Sequence, residues 1–380
     1  MMNNTLKALL SGMVLLLSCA TAQAGSEIKL GTFLAVTGPA SFLGDPELKT
    51  LQMYVEKINR EGGVNGRQIK LFHYDTGANP KKAVNFVKRL IKKDRVDLIV
   101  GGSTSGTTMA VIPLVEAAKL PFISMAGSVK IIDPVKKWVF KTPHTDKMAA
   151  QKIFLDMNKR GIKKVGMISG SGGFGKSGRG QVLALAPEYG IEIVADESYG
   201  KKDTDMTAQL SKIRAANPEA ILNFGFGSGP AIVTKNIGQL GITLPLYQSH
   251  GVASKKYIEM SGASAEGVRL PAASLLVANK LPDSDPQKKV ILAYKTAYEA
   301  QHGAVSTFGG HGYDALFLAV EAIKRAGSTD KEAVRTEIEK TRNFIGAGGV
   351  FNMSPKDHLG LGLDAFKMLE IKNGDWSIVE

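Results

Sequence analysis

The chain has 380 residues, 44% of them hydrophobic and 22% charged, with a formal net charge of +13. Its length points to two domains with cores large enough to need no disulfide staples, and its one cysteine, Cys19, excludes an internal disulfide or a cysteine-built metal site. The basic excess is scattered in pairs such as Lys81-Lys82, Lys163-Lys164 and Lys288-Lys289, which reads as solvated surface and not as a nucleic-acid-binding face.

Residues 1–24 read as a secretory signal peptide: Lys7 gives a positive start, residues 9–17 form an apolar run too short to span a bilayer, and Ala22-Gln23-Ala24 is a small-x-small cleavage site. Cys19 follows Leu16-Leu17-Ser18, a poor version of a lipoprotein box, so cleavage after Ala24 is expected in preference to lipid anchoring. That cleavage removes Lys7 and Cys19 and leaves 356 residues of net charge +12 with no cysteine. No later apolar stretch approaches a membrane span, so the expected product is a periplasmic monomer.

The remaining chain alternates short β-rich runs with helical patterns. A strand is expected over 28–33, then a helix over 47–60 with Leu48, Leu51, Tyr54, Val55 and Ile58 on one face. Gly62-Gly63 stops that helix, and Asn65-Gly66 turns into a strand over 68–74. A second amphipathic helix is expected over 83–93, a buried strand over 96–101, a helix over 107–118 and a strand over 121–124. Strands recur at 165–169, 191–195, 220–224 and 244–247, so the block 145–270 repeats the βα plan as a second lobe. The helix around 315–325 then returns to the earlier one. Such alternation implies βαβ units and parallel sheets.

Two stretches carry a resemblance: Asn59-Arg60-Glu61-Gly62-Gly63-Val64-Asn65-Gly66 with Asp75 after the next strand, and Phe122-Ile123-Ser124-Met125-Ala126-Gly127-Ser128. With Thr37-Gly38-Pro39 after the first strand, they resemble the periplasmic leucine/isoleucine/valine-binding protein family over essentially the whole exported chain. The resemblance implies an α/β fold of two doubly wound parallel-sheet lobes joined by a three-crossover hinge. The lobes would comprise 25–143 plus 272–342, and 144–271 plus 343–380. It also implies a binding protein of an ABC importer, with a small organic acid or amino acid trapped between the lobes and membrane permease subunits as partners. No cofactor, metal or nucleic acid is expected.

The residues agree with such a cleft. After the strand at 96–101 comes Gly102-Ser103-Thr104-Ser105-Gly106-Thr107, opening a helix, and hydroxyls with backbone N–H groups at a helix start suit an anion. Ser105 and Thr107 are the leading candidates to grip a carboxylate, with Thr104 beside them; capping the helix is the competing role. Ala126, Gly127 and Ser128 match loop positions where family members hold ligand.

Gly170-Ser171-Gly172-Gly173-Phe174-Gly175-Lys176-Ser177 satisfies the phosphate-loop pattern GxxxxGK[ST] and also contains GxGxxG. An exported protein does not meet the ATP pool, and the nearest magnesium-site run, Ile193-Val194-Ala195-Asp196, is weak. The resemblance instead places an aromatic-Gly turn here, with Phe174 closing over the ligand or packing the loop. An enzyme is not expected: the six histidines, His73, His144, His250, His302, His311 and His358, form no metal-spaced pair, and there is no GxSxG elbow. A ligand-sensing receptor of the same fold is a further alternative.

For the ligand, amino-acid binders of the family hold the ammonium with an acidic side chain. Here the matching stretch, Gln248-Ser249-His250-Gly251-Val252-Ala253, has none. Phe42 and Leu43 stand before Gly44-Asp45, Phe224 and Phe226 stand where a tyrosine is expected, and Phe308 is a candidate for the wall of the first lobe. A buried ammonium without a carboxylate is costly. An aromatic or other small organic acid is therefore the expected ligand, a branched-chain or related amino acid the alternative. His250 is either a ligand contact or a solvent-exposed loop residue, and Asp314 is expected to cap a helix start.

Overall fold

The computed structural model describes residues 27–379; the signal-peptide and Cys19 readings lie outside the described residues. The first sheet is built from β1 (Ile28–Leu34), β2 (Ile69–Asp75), β3 (Leu98–Gly101), β4 (Phe122–Ser124) and β5 (Val139–Lys141). These strands pair in the order β2-β1-β3-β4-β5, all parallel. The second sheet takes β6 (Lys164–Gly170), β7 (Glu192–Tyr199), β8 (Ala220–Phe224), β9 (Leu246–Gln248) and β10 (Arg269–Ala273), in the order β7-β6-β8-β9-β10. The two orders are the same, so each sheet reverses its winding once, between β1 and β3 and between β6 and β8. Loops leaving the strand ends diverge there, which opens a crevice.

β3, β4, β5 and β8 are buried along their whole length, as the apolar runs of strands covered by helices on both faces should be. The edge strands β2 and β7 are mostly half-buried or exposed. One departure from the expected parallel sheets lies at the end of the chain. β13 (Phe366–Lys372) pairs antiparallel with β10, and β14 (Asp375–Ile378) pairs antiparallel with β13. Asn373 and Gly374 both take positive φ in the turn between them, the geometry that lets a two-residue loop match strand twist.

The helices are α1 (Ser41–Arg60), α2 (Pro80–Arg89), α3 (Ser105–Ala117), α4 (Asp146–Lys159), α5 (Gly173–Leu185), α6 (Thr207–Ala215), α7 (Gly229–Gln239), α8 (Lys255–Ser261), α9 (Lys288–His302), α10 (Thr307–Ala326) and α11 (Lys331–Glu339). α1 begins six residues before the expected start and runs through Pro46. Leu43, Pro46, Glu47, Thr50 and Leu51 are all buried on it, and that burial outweighs the intrahelical bond proline forfeits. Gly44 lets the helix cross the backbone of Ala35, where any Cβ would collide, and so sets Leu43 at the end of β1.

α10 packs along α1, so the chain returns to the first sheet after β10. Asp314 corrects the sequence reading. It lies in the interior of α10, fully buried, and accepts from Ala347 N at 2.5 Å and Gly348 N at 2.7 Å, while Ser306 caps the helix. The short pair β11 (Phe344–Ile345) and β12 (Val350–Phe351) follows, and His358 Nδ1 meets the carbonyl oxygen of Val139 on β5 at 2.8 Å. Residues 344–358 therefore sit against the first sheet before the chain crosses to β13. Among the described residues no helix is long and apolar enough to cross a membrane.

Candidate ligand-binding cleft

The carboxyl ends of both sheets face each other across a small cleft. Leu43 reaches it from α1, Ser103, Thr104 and Ser105 from the turn after β3, Met125 and Gly127 from the loop after β4, and Phe308 and His311 from α10. The opposite side supplies Phe174 from α5, Phe226 after β8, and His250 with Gly251 after β9. Pro143, in the segment that crosses between the sheets after β5, completes the lining.

Of the residues singled out from sequence, Leu43, Thr104, Ser105, Gly127, Phe174, Phe226, His250 and Phe308 are brought together here. Four are not. Thr107 turns its hydroxyl back to donate to the carbonyl of Thr104 at 2.9 Å. Ala126 is buried and donates its N–H to Ser124 Oγ at 3.1 Å. Ser128 Oγ pairs with Ser177 Oγ at 2.6 Å, joining the loop after β4 to α5. Phe42 stacks behind the wall, edge-on to Phe308 at 5.5 Å and tilted against Phe226 at 6.4 Å. The aromatic series Phe308, Phe42, Phe226, Phe174 thus runs from one lobe to the other.

Both roles considered for the 102–107 turn are present. Thr104 caps α3, its hydroxyl accepting from Thr107 N. Ser105 Oγ accepts from Ser128 N at 3.2 Å, which leaves its own proton to donate into the cavity. Ser103 donates to Glu47 Oε2 at 2.5 Å and accepts from Ala35 N. Burial holds the Glu47 carboxyl well above the ordinary range, against the smaller opposing pull of the Ser103 hydrogen bond.

His250 is not the exposed loop residue that sequence left open. It is only 7% exposed, in a short turn at 250–252, with Phe174 edge-on at 5.2 Å. Burial, then the charge of Lys141 and the nearby His311, pushes its pKa down to about 3. His311 is likewise lowered to about 3 by burial and Lys141. Neither ring nitrogen of His250, nor Nδ1 of His311, has a hydrogen-bond partner among the described residues. No acidic side chain lines the cavity among the described residues, and none of their His, Cys, Asp and Glu groups is arranged for a metal.

Sequence reasoning missed Ser103, Met125, Pro143, Gly251 and His311 as lining residues. Ser103 and Met125 lay inside motifs already quoted. His311 follows Phe308 by three positions, one face of a helix, which is a readable signal. Gly251 lay inside the quoted stretch 248–253, and Pro143 is placed by tertiary structure alone.

The phosphate-loop pattern has a packing explanation. α5 begins at Gly173, so Gly173 through Ser177 are already helical and too little loop remains to wrap a phosphate. Gly175 crosses the Gly170 carbonyl, Lys176 is exposed, and Asp196 pairs with Arg179.

Residues 27–375 match the family model described as periplasmic binding protein. The chain belongs to that family. It has the type I periplasmic binding protein fold. A leucine-, isoleucine-, valine-, threonine- and alanine-binding protein of Pseudomonas aeruginosa is 24% identical to it, over 94% of this chain and 90% of the relative. An extracellular ligand-binding receptor of Rhodopseudomonas palustris HaA2 is 30% identical with a TM-score of 0.87, over 93% of this chain and all of that one. A leucine-binding protein of Thermotoga maritima is 25% identical with a TM-score of 0.83, over 93% and 98%. By their names these relatives are amino-acid-binding proteins and an extracellular ligand-binding receptor.

Proposed function

We propose that this chain is the periplasmic solute-binding component of an ABC importer of the branched-chain amino acid type, and that its ligand is a carboxylate with an aromatic or other apolar body. The observation that carries the ligand class is the lining: hydroxyls at the start of α3, an aromatic wall and no acidic side chain. A carboxylate on the Ser103–Ser105 turn meets N–H groups and the positive end of a helix. An ammonium group in the same enclosure would find no counter-charge on the wall. The family and its named relatives support the transport role, with permease subunits as partners of a monomer.

The lobes we assign are 25–143 with 272–360, and 144–271 with 361–380. The first boundaries follow the sequence expectation. The last is moved because the segment through His358 bonds to β5. Ligand bridging both lobes favours closure by its differential affinity. Export with cleavage after Ala24 would give an intact mass beginning at Gly25. A diacylglycerol mass on Cys19 would replace that with a lipid anchor.

A branched-chain amino acid is the second reading. It is favoured by the names of the relatives and by Glu47, whose Oε1 is buried without a partner behind Ser103. A thermal-shift comparison of benzoate with leucine separates the two. Stabilisation by benzoate supports the first reading, and stabilisation by leucine with none by aromatic acids overturns it.

A further inference from the structure

Four basic side chains cluster where β5 leads into the crossing segment: Lys141, His144, His250 and His311. His250 and His311 line the cavity, from different lobes; Lys141 and His144 stand behind them, both buried. Lys141 Nζ donates to the carbonyls of Pro143 at 2.5 Å and His144 at 3.3 Å. His144 stacks on Phe366 at 3.8 Å, and its Nε2 has no partner among the described residues. Buried nitrogens left without partners cost free energy unless something completes them. Here the orphaned atoms belong to the cavity wall or lie just behind it.

The acidic groups packed around this cluster do not neutralise it. Asp146 acts on Lys141 from a distance, making no ion pair with it, and its Oδ1 accepts from Val129 N and Lys147 N, both at 2.9 Å. Asp314 is committed to Ala347 and Gly348, Glu47 to Ser103, and Glu339 to Arg335 and His358. A wall rich in bases and short of anions favours a negative charge over a neutral or zwitterionic group.

We propose that Lys141, with His144, His250 and His311 around it, answers the charge of the ligand's carboxylate, and that the cleft takes up a proton as it closes on an anionic ligand. The inference rests on the carboxylate reading above and adds the groups that neutralise it. Lys141 is the group poised to respond. Burial lowers it to about 7, and a carboxylate in the cavity in front of it raises it again, so a lysine that is partly neutral near pH 7 becomes charged on binding. The three imidazoles are shifted too far down to be protonated first, and they contribute as hydrogen-bonding dipoles.

Calorimetry of the exported chain with benzoate tests this, in phosphate and in Tris at pH 7.5, where the dependence of heat on buffer ionisation counts protons. About half to one proton is expected to be taken up, so affinity falls about three- to tenfold from pH 7 to pH 8. Lys141→Met should bind benzoate more weakly and lose most of the uptake. His250→Gln, which keeps a polar side chain, should retain the uptake with reduced affinity. Tight benzoate binding with no proton uptake overturns the inference and leaves the carboxylate reading standing; so does unchanged uptake in a folded Lys141→Met protein. If Lys141→Met does not fold, the wild-type proton count decides alone. Binding of leucine with none of benzoate removes both.

Discussion

Gly127→Ala tests whether the two lobes must close on each other to bind. Gly127 lies in the loop after β4, on the first lobe. A Cβ there would stand 2.8 Å from Phe174 Cε2 and 2.9 Å from His250 Nε2, both on the second lobe. Ordinary contacts begin near 3.5 Å, and both partners are buried with little room to retreat. Overpacking of this kind costs about 1–3 kcal/mol. The cost exists only when the lobes meet, so it moves the open–closed balance and leaves each lobe's own stability alone. Affinity should fall about 5- to 150-fold, at 1.4 kcal/mol per factor of ten. Isothermal calorimetry measures the loss, and solution scattering should show a smaller ligand-induced decrease in radius of gyration than in the parent. Gly180→Ala on α5, where a Cβ meets nothing within 4 Å, is the control; it should bind normally and gain up to about 1 kcal/mol of helix stability. Affinity within twofold of the parent for Gly127→Ala, with full compaction, would refute the closing contact.

Lys176→Ala should leave ligand affinity within about threefold, because Lys176 is an exposed helical residue; an exposed charge of this kind is worth at most about 1 kcal/mol. ATP binding that this substitution abolishes would restore the phosphate-loop reading. Arg269→Met should cost the fold about 1–3 kcal/mol in urea denaturation, because it leaves Asp156 with only the Tyr247 hydroxyl and Glu370 with only the exposed Lys372; a loss under about 0.5 kcal/mol would show the triad to be dispensable. Asp314→Asn should change the pH profile of stability. Burial raises the Asp314 carboxyl to about 8, so its contribution is present below its ordinary value near 3.8 and is lost as pH rises through 8. The parent's advantage over Asp314→Asn in denaturant titrations should therefore shrink between pH 4 and 8, by at most about 1.4 kcal/mol per pH unit, and level off above. An advantage that grows with pH over that range would mean the two N–H bonds keep the carboxylate ionised.

The parts of this molecule that were legible in sequence are those set by neighbours along the chain. Apolar runs such as 98–101 and 220–224 announce strands covered on both faces, and a strand followed by a hydroxyl-rich helix start announces a cleft at its carboxyl end. The C-terminal hairpin carried a local sign as well, Asn373-Gly374 between alternating apolar residues. The first turns of α1 were missed because they are held by burial of Leu43, Pro46 and Glu47 in contacts that sequence proximity does not reveal. The chemistry of the site was hidden for the same reason. Ser105, Thr107 and Ser128 are equivalent hydroxyls on paper. In three dimensions Thr107 is spent on its own helix and Ser128 on Ser177, and Ser105 alone of the three lines the cavity. His250 and His311 look like unrelated residues in a loop and a helix. Their shared character, two imidazoles depressed first by burial and then by the same lysine, arises only because β5 carries Lys141 to the point where the lobes meet. Histidine and lysine titrate according to what surrounds them, so the charge on this pocket is a property of the assembled fold, and a bound anion can reset it.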